Sequence, residues 1–185
     1  MTVVACLGDS ISEGSPHWDS RARSGTPEGQ WQHWAGLRRP ELELRNFGIW
    51  GERTDEIAAR FDEAVVGAEA LIVQGGINDV AQGRPVAVAA KTLLAMVERG
   101  RALGLQVAVC DVLPWNRGWP RTEPAIRDVN ERIRAFGVPL LPFHDTLEDP
   151  ELPGRMKAEW THDDGDHPSI AGYRRLGEFA FRFPF

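Results

Sequence analysis

Val3-Val4-Ala5-Cys6-Leu7 opens the chain and is followed at once by Gly8-Asp9-Ser10. Five apolar residues that begin with a β-branched pair and stop at a glycine read as a strand buried on both faces. Such a strand belongs in a parallel sheet, because helices packed on either side leave no wet face. Four later runs obey the same rule. Residues 42–47 alternate and stop at Gly48, residues 70–74 run into Gly75-Gly76, and residues 106–112 and 138–141 complete the set.

Helical patterns fill the gaps between these runs. Thr54 is placed to cap a helix with Ile57, Ala58, Phe61 and Val65 on one face. Pro85 suits the first position of a helix that lasts to about Leu103 and stops at Gly104. Pro124 opens another, carrying Ile126, Val129, Ile133 and Phe136. Ser169 caps the last, with Tyr173, Leu176, Phe179 and Ala180 expected inward. Residues 30–37 form a shorter helix. The expected architecture is a single α/β domain over residues 1–185, with five mainly parallel strands in a three-layer α/β/α sandwich. Three connections, 9–29, 113–123 and 143–168, are long enough to be functional.

Composition narrows the function. The chain has 185 residues, 42% hydrophobic and 26% charged, with 21 Lys and Arg against 27 Asp and Glu. A formal charge of −6 gives no positive field for gripping phosphate backbones, so nucleic acid is not an expected partner. No run approaches the roughly 18 apolar residues of a membrane span. The start, MTVVACLGDS, has no signal-peptide pattern, which makes a cytoplasmic location the expectation. Cys6 and Cys110 fall inside predicted strands and read as inert core residues.

Ligands of open α/β sheets bind at the carboxyl ends of the strands. The segment after each strand is therefore the place to look. The first gives Gly8-Asp9-Ser10, the second Asn46-Phe47-Gly48-Ile49-Trp50-Gly51 and then Thr54, the third Gly75-Gly76-Ile77-Asn78-Asp79. Before the last helix comes Asp163-Asp164-Gly165-Asp166-His167-Pro168. A serine, a glycine-bounded turn, an asparagine and an Asp-x-x-His are the parts of an acyl-transfer site.

These blocks, in this order, resemble those of the SGNH hydrolases, the GDSL-type lipases and esterases. Gly8-Asp9-Ser10, with Gly14, matches the first block. Gly48, Gly51 and Thr54 match the second, Gly76-Ile77-Asn78-Asp79 the third, and Asp164-Gly165-Asp166-His167-Pro168 the last. The resemblance implies a flavodoxin-like fold and a serine esterase that needs no cofactor or metal and acts on a small-molecule ester. It makes Ser10 the nucleophile, His167 the base and Asp164 the orienting acid. The oxyanion hole would be the Ser10 N–H, the Gly48 N–H and the Asn78 amide. The residue types agree: a serine hydroxyl needs an imidazole to take its proton, and a neutral amide donates to an oxyanion without competing for that proton.

Each residue also has a plainer reading. Ser10 suits a helix cap, and Asn78 after Gly-Gly suits a turn. Asp9 reads as a loop holder. Asp163 and Asp166 compete with Asp164 as the acid, and His144-Asp145 is a second His–Asp pair. His17, His33 and His162 read as loop or surface residues. Of 7 tryptophans, Trp50, Trp115 and Trp119 fall on the active edge and are expected to contact substrate, and Trp18 lies in the first long loop. Carbohydrate acetylester, thioester and lysophospholipid hydrolysis fit the same blocks. A metal-dependent hydrolase built on His162, Asp163, Asp164, Asp166 and His167 is the alternative of another class. A nucleotide-binding module is disfavoured, because the first turn has neither G-x-G-x-x-G nor a Walker lysine. The G-x-S-x-G elbow of α/β-hydrolases is also missing, since Ser12 stands where its last glycine would be.

Overall fold

The computed structural model describes residues 1–181. Its central sheet holds β1 (Thr2–Gly8), β2 (Leu42–Gly48), β3 (Ala70–Val73), β4 (Gln106–Cys110) and β5 (Leu140–Leu141). All pairings are parallel, in the order β2-β1-β3-β4-β5. That is the flavodoxin order, and it places a topological switch beside the carboxyl end of β1.

The period-two alternation of the strands divides the core. Val4, Cys6, Ile72, Ala108 and Cys110 pack against Trp31, Phe143, Tyr173 and Leu176 on one face. Ala5, Leu7, Leu71, Val73 and Val109 pack against Ile57, Phe61, Leu93, Val97, Ile126 and Val129 on the other. The first face is covered by α2 (Trp31–Arg38), α8 (Phe143–Leu147) and α9 (Ile170–Arg175). The second is covered by α3 (Thr54–Ala59), α4 (Phe61–Ala64), α6 (Val86–Ala102) and α7 (Glu123–Arg134). Two short helices lie at the strand ends: α1 (Ser10–Glu13) after β1 and α5 (Ile77–Ala81) after β3. Among the described residues no helix is long and apolar enough to cross a membrane.

Several expected boundaries shift for identifiable reasons. The fourth strand stops at Cys110 rather than Val112, because the Asn130 side-chain amide takes both the N–H and the C=O of Val112 at 2.8 Å. Two residues suffice for β5, whose neighbours Pro139 and Pro142 have no N–H to give a ladder. The helix expected from Thr54 through Val65 breaks at Arg60, and Arg53 rather than Thr54 precedes its first turn. Ser169 does cap α9, its Oγ accepting from the Gly172 N–H at 3.2 Å. Phe179, expected inward, is 45% exposed, while Tyr173, Leu176 and Ala180 are buried. The longest connections carry small antiparallel ribbons, Trp18–Asp19 with Ser24–Gly25 and Glu148–Asp149 with Leu152–Met156.

Candidate active site

The turn after β1 is built to present one hydroxyl. Asp9 caps α1 with Oδ1 accepting from the Ile11 N–H at 2.9 Å, so Ser10 becomes the first helical residue. Gln74, at the end of β3, pins the turn from beneath: its Oε1 accepts from the N–H groups of Asp9 and Ser12 and from Ser12 Oγ, at 3.0–3.2 Å. Gln32 Nε2 holds the Ser12 carbonyl from the other side at 2.9 Å. The Ser10 N–H itself has no partner among the described residues.

A bridge between Thr161 and Pro168 and a bond from the His162 N–H to the His167 carbonyl close a tight loop. Within it Asp164 Oδ1 accepts the N–H groups of Asp166 and His167, leaving Oδ2 2.8 Å from His167 Nδ1. The opposite ring nitrogen, Nε2, lies 3.0 Å from Ser10 Oγ. Ser10 and His167 are 4% and 9% exposed, so the pair sits at the floor of a depression rather than on the surface. Partial burial works to raise the Asp164 pKa, but the bonds from His167 and from the two N–H groups outweigh it and hold the carboxyl at about 2.

The competitors of Asp164 are engaged elsewhere. Asp166 accepts from Trp115 Nε1 at 2.7 Å and pairs with Arg117 at 2.9 Å, while Asp163 is exposed. With Asp164 and Asp166 spent in this way, the five residues His162 to His167 do not converge as a ligand set. Among the described residues the ligand atoms that do converge belong to His144, Asp145 and Glu148, outside this depression. His162 is no plain surface residue: Nδ1 lies 3.2 Å from Asp164 Oδ2, and its ring is stacked edge-on with His17.

The second and third blocks are stitched together. Asp79 is fully buried and faces away from the serine, accepting the Thr54 N–H at 2.9 Å and Thr54 Oγ1 at 3.1 Å. Asn78 Nδ2 donates one hydrogen to the Glu52 carbonyl at 2.9 Å, which leaves its second free. Gly48 is a correction. Its N–H donates to Asn46 Oδ1 at 2.8 Å, and it does not line the depression that holds Ser10. A Cβ there would stand 2.0 Å from the Glu13 nitrogen, so glycine serves the close packing of β2 against α1. Gly51 is the glycine of that segment that borders the serine. It adopts φ +79, lines the depression with Ser10 and Asn78, and has an N–H without a partner among the described residues. That left-handed region is one a glycine enters without strain.

The depression is a cavity of about 360 Å³ lined by Ser10, Asn78 and His167 with Ile11, Ile77, Trp50 and Trp115. Trp115 is fixed as a wall by its bond to Asp166. Trp50 stands 64% exposed at the rim. Trp119, expected beside them, lies elsewhere: its Nε1 donates to the Pro153 carbonyl and Arg155 covers its ring.

Asp9 carries a cost that a stability curve reveals. Its side chain is fully buried and Oδ2 has no partner, and burial pushes its pKa up to about 6 against the opposing Ile11 bond. The folded chain thus keeps this proton to higher pH than the unfolded chain, so stability falls as pH rises from about 4 to 6. Asp9→Asn keeps the cap acceptor and removes the titration. Its stability relative to the parent is expected to improve by on the order of 3 kcal/mol between pH 3.5 and pH 7, measured by urea unfolding at both pH values. A difference that does not change with pH refutes this.

The contacts of Ser10, His167 and Asp164 thus lie at the carboxyl edge of the sheet of an α/β/α sandwich. The family model for GDSL-like lipase/acylhydrolases matches residues 6–175, and the chain belongs to that family of ester-hydrolysing enzymes, the SGNH hydrolases. Comparison with curated proteins gave no match. Among solved structures, a G-D-S-L family protein from Desulfitobacterium hafniense DCB-2 superposes with a TM-score of 0.81 at 22% identity, covering 97% of this chain and 98% of its own. A member of the lipolytic protein G-D-S-L family from Veillonella parvula gives 0.80 at 19% identity, covering 96% and 94%. The psychrotrophic esterase EstA from a Pseudoalteromonas species gives 0.73 at 19% identity, covering 96% and 93%. At such identities these likenesses speak for the fold.

Proposed function

We propose that the chain is a serine esterase that cleaves short-chain acyl or aryl esters through an acyl-enzyme on Ser10. The observation that carries this reading is the chain of contacts Ser10 Oγ–His167 Nε2–Asp164, at 3.0 and 2.8 Å. His167 takes the hydroxyl proton as Oγ attacks the ester carbonyl, and Asp164 holds the tautomer with Nδ1 protonated. The tetrahedral oxyanion is met by the Ser10 N–H, the Gly51 N–H and the free hydrogen of Asn78 Nδ2. Collapse expels the alcohol with the proton from His167. Water, activated by the same imidazole, then releases the acid and restores Ser10.

The test is a serine-directed phosphonate. One equivalent is expected to abolish nitrophenyl acetate hydrolysis and add its mass to the peptide bearing Ser10. Retained activity after stoichiometric labelling, or labelling elsewhere, refutes the reading.

The cavity size and its fixed Trp115 wall support short acyl groups. Across nitrophenyl esters, turnover is expected to be highest at two to four carbons and at least tenfold lower at ten. A preference for ten carbons or more refutes the assignment of chain length.

Asn78→Ala tests the oxyanion hole. The ground-state ester makes little use of the amide, so the loss belongs to kcat, on the order of 10²–10³, with KM nearly unchanged. Near-normal kcat in the folded variant removes Asn78 from the hole.

A further inference from the structure

We propose that Arg60 is a positioning residue for the oxyanion hole, setting the place of all three donors without touching substrate. This rests on the esterase reading above. Arg60 stands at the break between α3 and α4, where its φ of −97 and ψ of 3 interrupt a helix that the sequence otherwise favours. From there its guanidinium reaches back under the site and spends every nitrogen. Nη1 donates to the Phe47 carbonyl at 2.9 Å, and Nη2 to the Gly8 carbonyl at 3.1 Å. Nε and Nη2 grip the Glu52 carboxylate at 2.6–3.2 Å.

Each of these partners governs one donor. Gly8 is two residues before Ser10 and fixes where its turn leaves the sheet. Phe47 and Glu52 bracket the segment that carries Gly51. The Glu52 carbonyl is the acceptor that orients Asn78 Nδ2. A single planar fork thus ties together the ends of β1 and β2 and, through Glu52, the start of α5. Arg60 is absent from the lining of the catalytic cavity and lines a separate hollow with Phe47 and Gly48, so its action on the reaction passes through the donors it holds. Both members of the pair are largely shielded, with side chains 19% and 17% exposed, so solvent competes poorly for the contacts. Donors of this kind must lie within about 0.5 Å of the productive position. Lysine has one ammonium on a flexible stem and cannot reproduce the fork.

The experiment compares Arg60→Lys, Arg60→Met and Glu52→Gln with the parent and with Arg99→Lys. Arg99 pairs with Asp62 on the exposed surface and serves as the control. Sites are counted by complete phosphonate labelling, and kcat for nitrophenyl acetate is expressed per labelled site. Arg60→Lys and Glu52→Gln are expected to lose about 10- to 100-fold in kcat with KM within twofold. The phosphonylation rate should fall in parallel, and Arg99→Lys should match the parent. Should Arg60→Met fail to fold, the two milder variants decide. Normal kcat per labelled site beside a lowered melting temperature would make Arg60 a structural residue and overturn the proposal, as would a loss confined to KM. A parent chain that takes no label refutes the esterase reading itself, and this proposal falls with it.

Discussion

Ser10→Ala and His167→Ala are each expected to lower ester hydrolysis by about 10⁶ while leaving the fold intact, and the double variant by no more than either alone. The reason is geometric. Serine without an acceptor for its proton is a poor nucleophile, and an imidazole without the hydroxyl 3.0 Å away has only a loosely held water to activate. Each residue is useful only through the other, so free energies of loss cannot add. The remaining turnover would come from cavity binding and the oxyanion donors. Initial rates on nitrophenyl acetate, with circular dichroism as the check on folding, measure it. Losses that multiply in the double variant would mean that the two side chains serve separate steps.

Asp164→Asn is expected to cost about 10³–10⁴ in kcat, and Asp166→Asn at most about tenfold. The amide has one carbonyl oxygen where the carboxylate has two. That oxygen is sought both by the N–H groups of Asp166 and His167 and by the His167 ring, and the amide NH₂ turned toward Nδ1 selects the wrong tautomer. Because the Asp164 carboxyl is held at about 2, its charge is present throughout the range above that pH. Any decline of rate in mild acid therefore belongs to another group. Asp166 holds Trp115, so its variant should move KM and acyl-chain preference more than kcat. Equal losses at the two positions would refute the assignment of the acid.

Much of this arrangement was legible because it is local. The buried runs at residues 3–7 and 70–74 read as interior strands, and strand ends in a parallel sheet point to one edge. The Asp-x-x-His spacing closes its own turn, and the structure brings it to Ser10. The features that escaped reading depend on partners far away in the chain. The sequence carries the fourth strand on through Asp111 to Val112, yet the Asn130 amide claims Val112. Gly48 and Gly51 look alike in sequence, and only the neighbouring Glu13 nitrogen and a left-handed φ tell their surroundings apart. Trp119 and Trp115 sit in one loop, but Asp166 selects the second for the cavity wall. Arg60 gave no signal at all, being one arginine among many on a chain rich in charge.

The contacts of Asp164, His167 and Ser10 span very different stretches of chain. Asp164 and His167 are 3 residues apart on one closed loop, whereas His167 and Ser10 are 157 residues apart, at opposite ends of the sequence. The first spacing survives any disturbance that leaves a single turn intact. The second exists only while the sheet, the layers on both its faces and the final loop are all assembled. On the esterase reading proposed above, turnover is a gauge of global order, and during refolding it should be the last signal to return, after the compact shape and the helices have already formed.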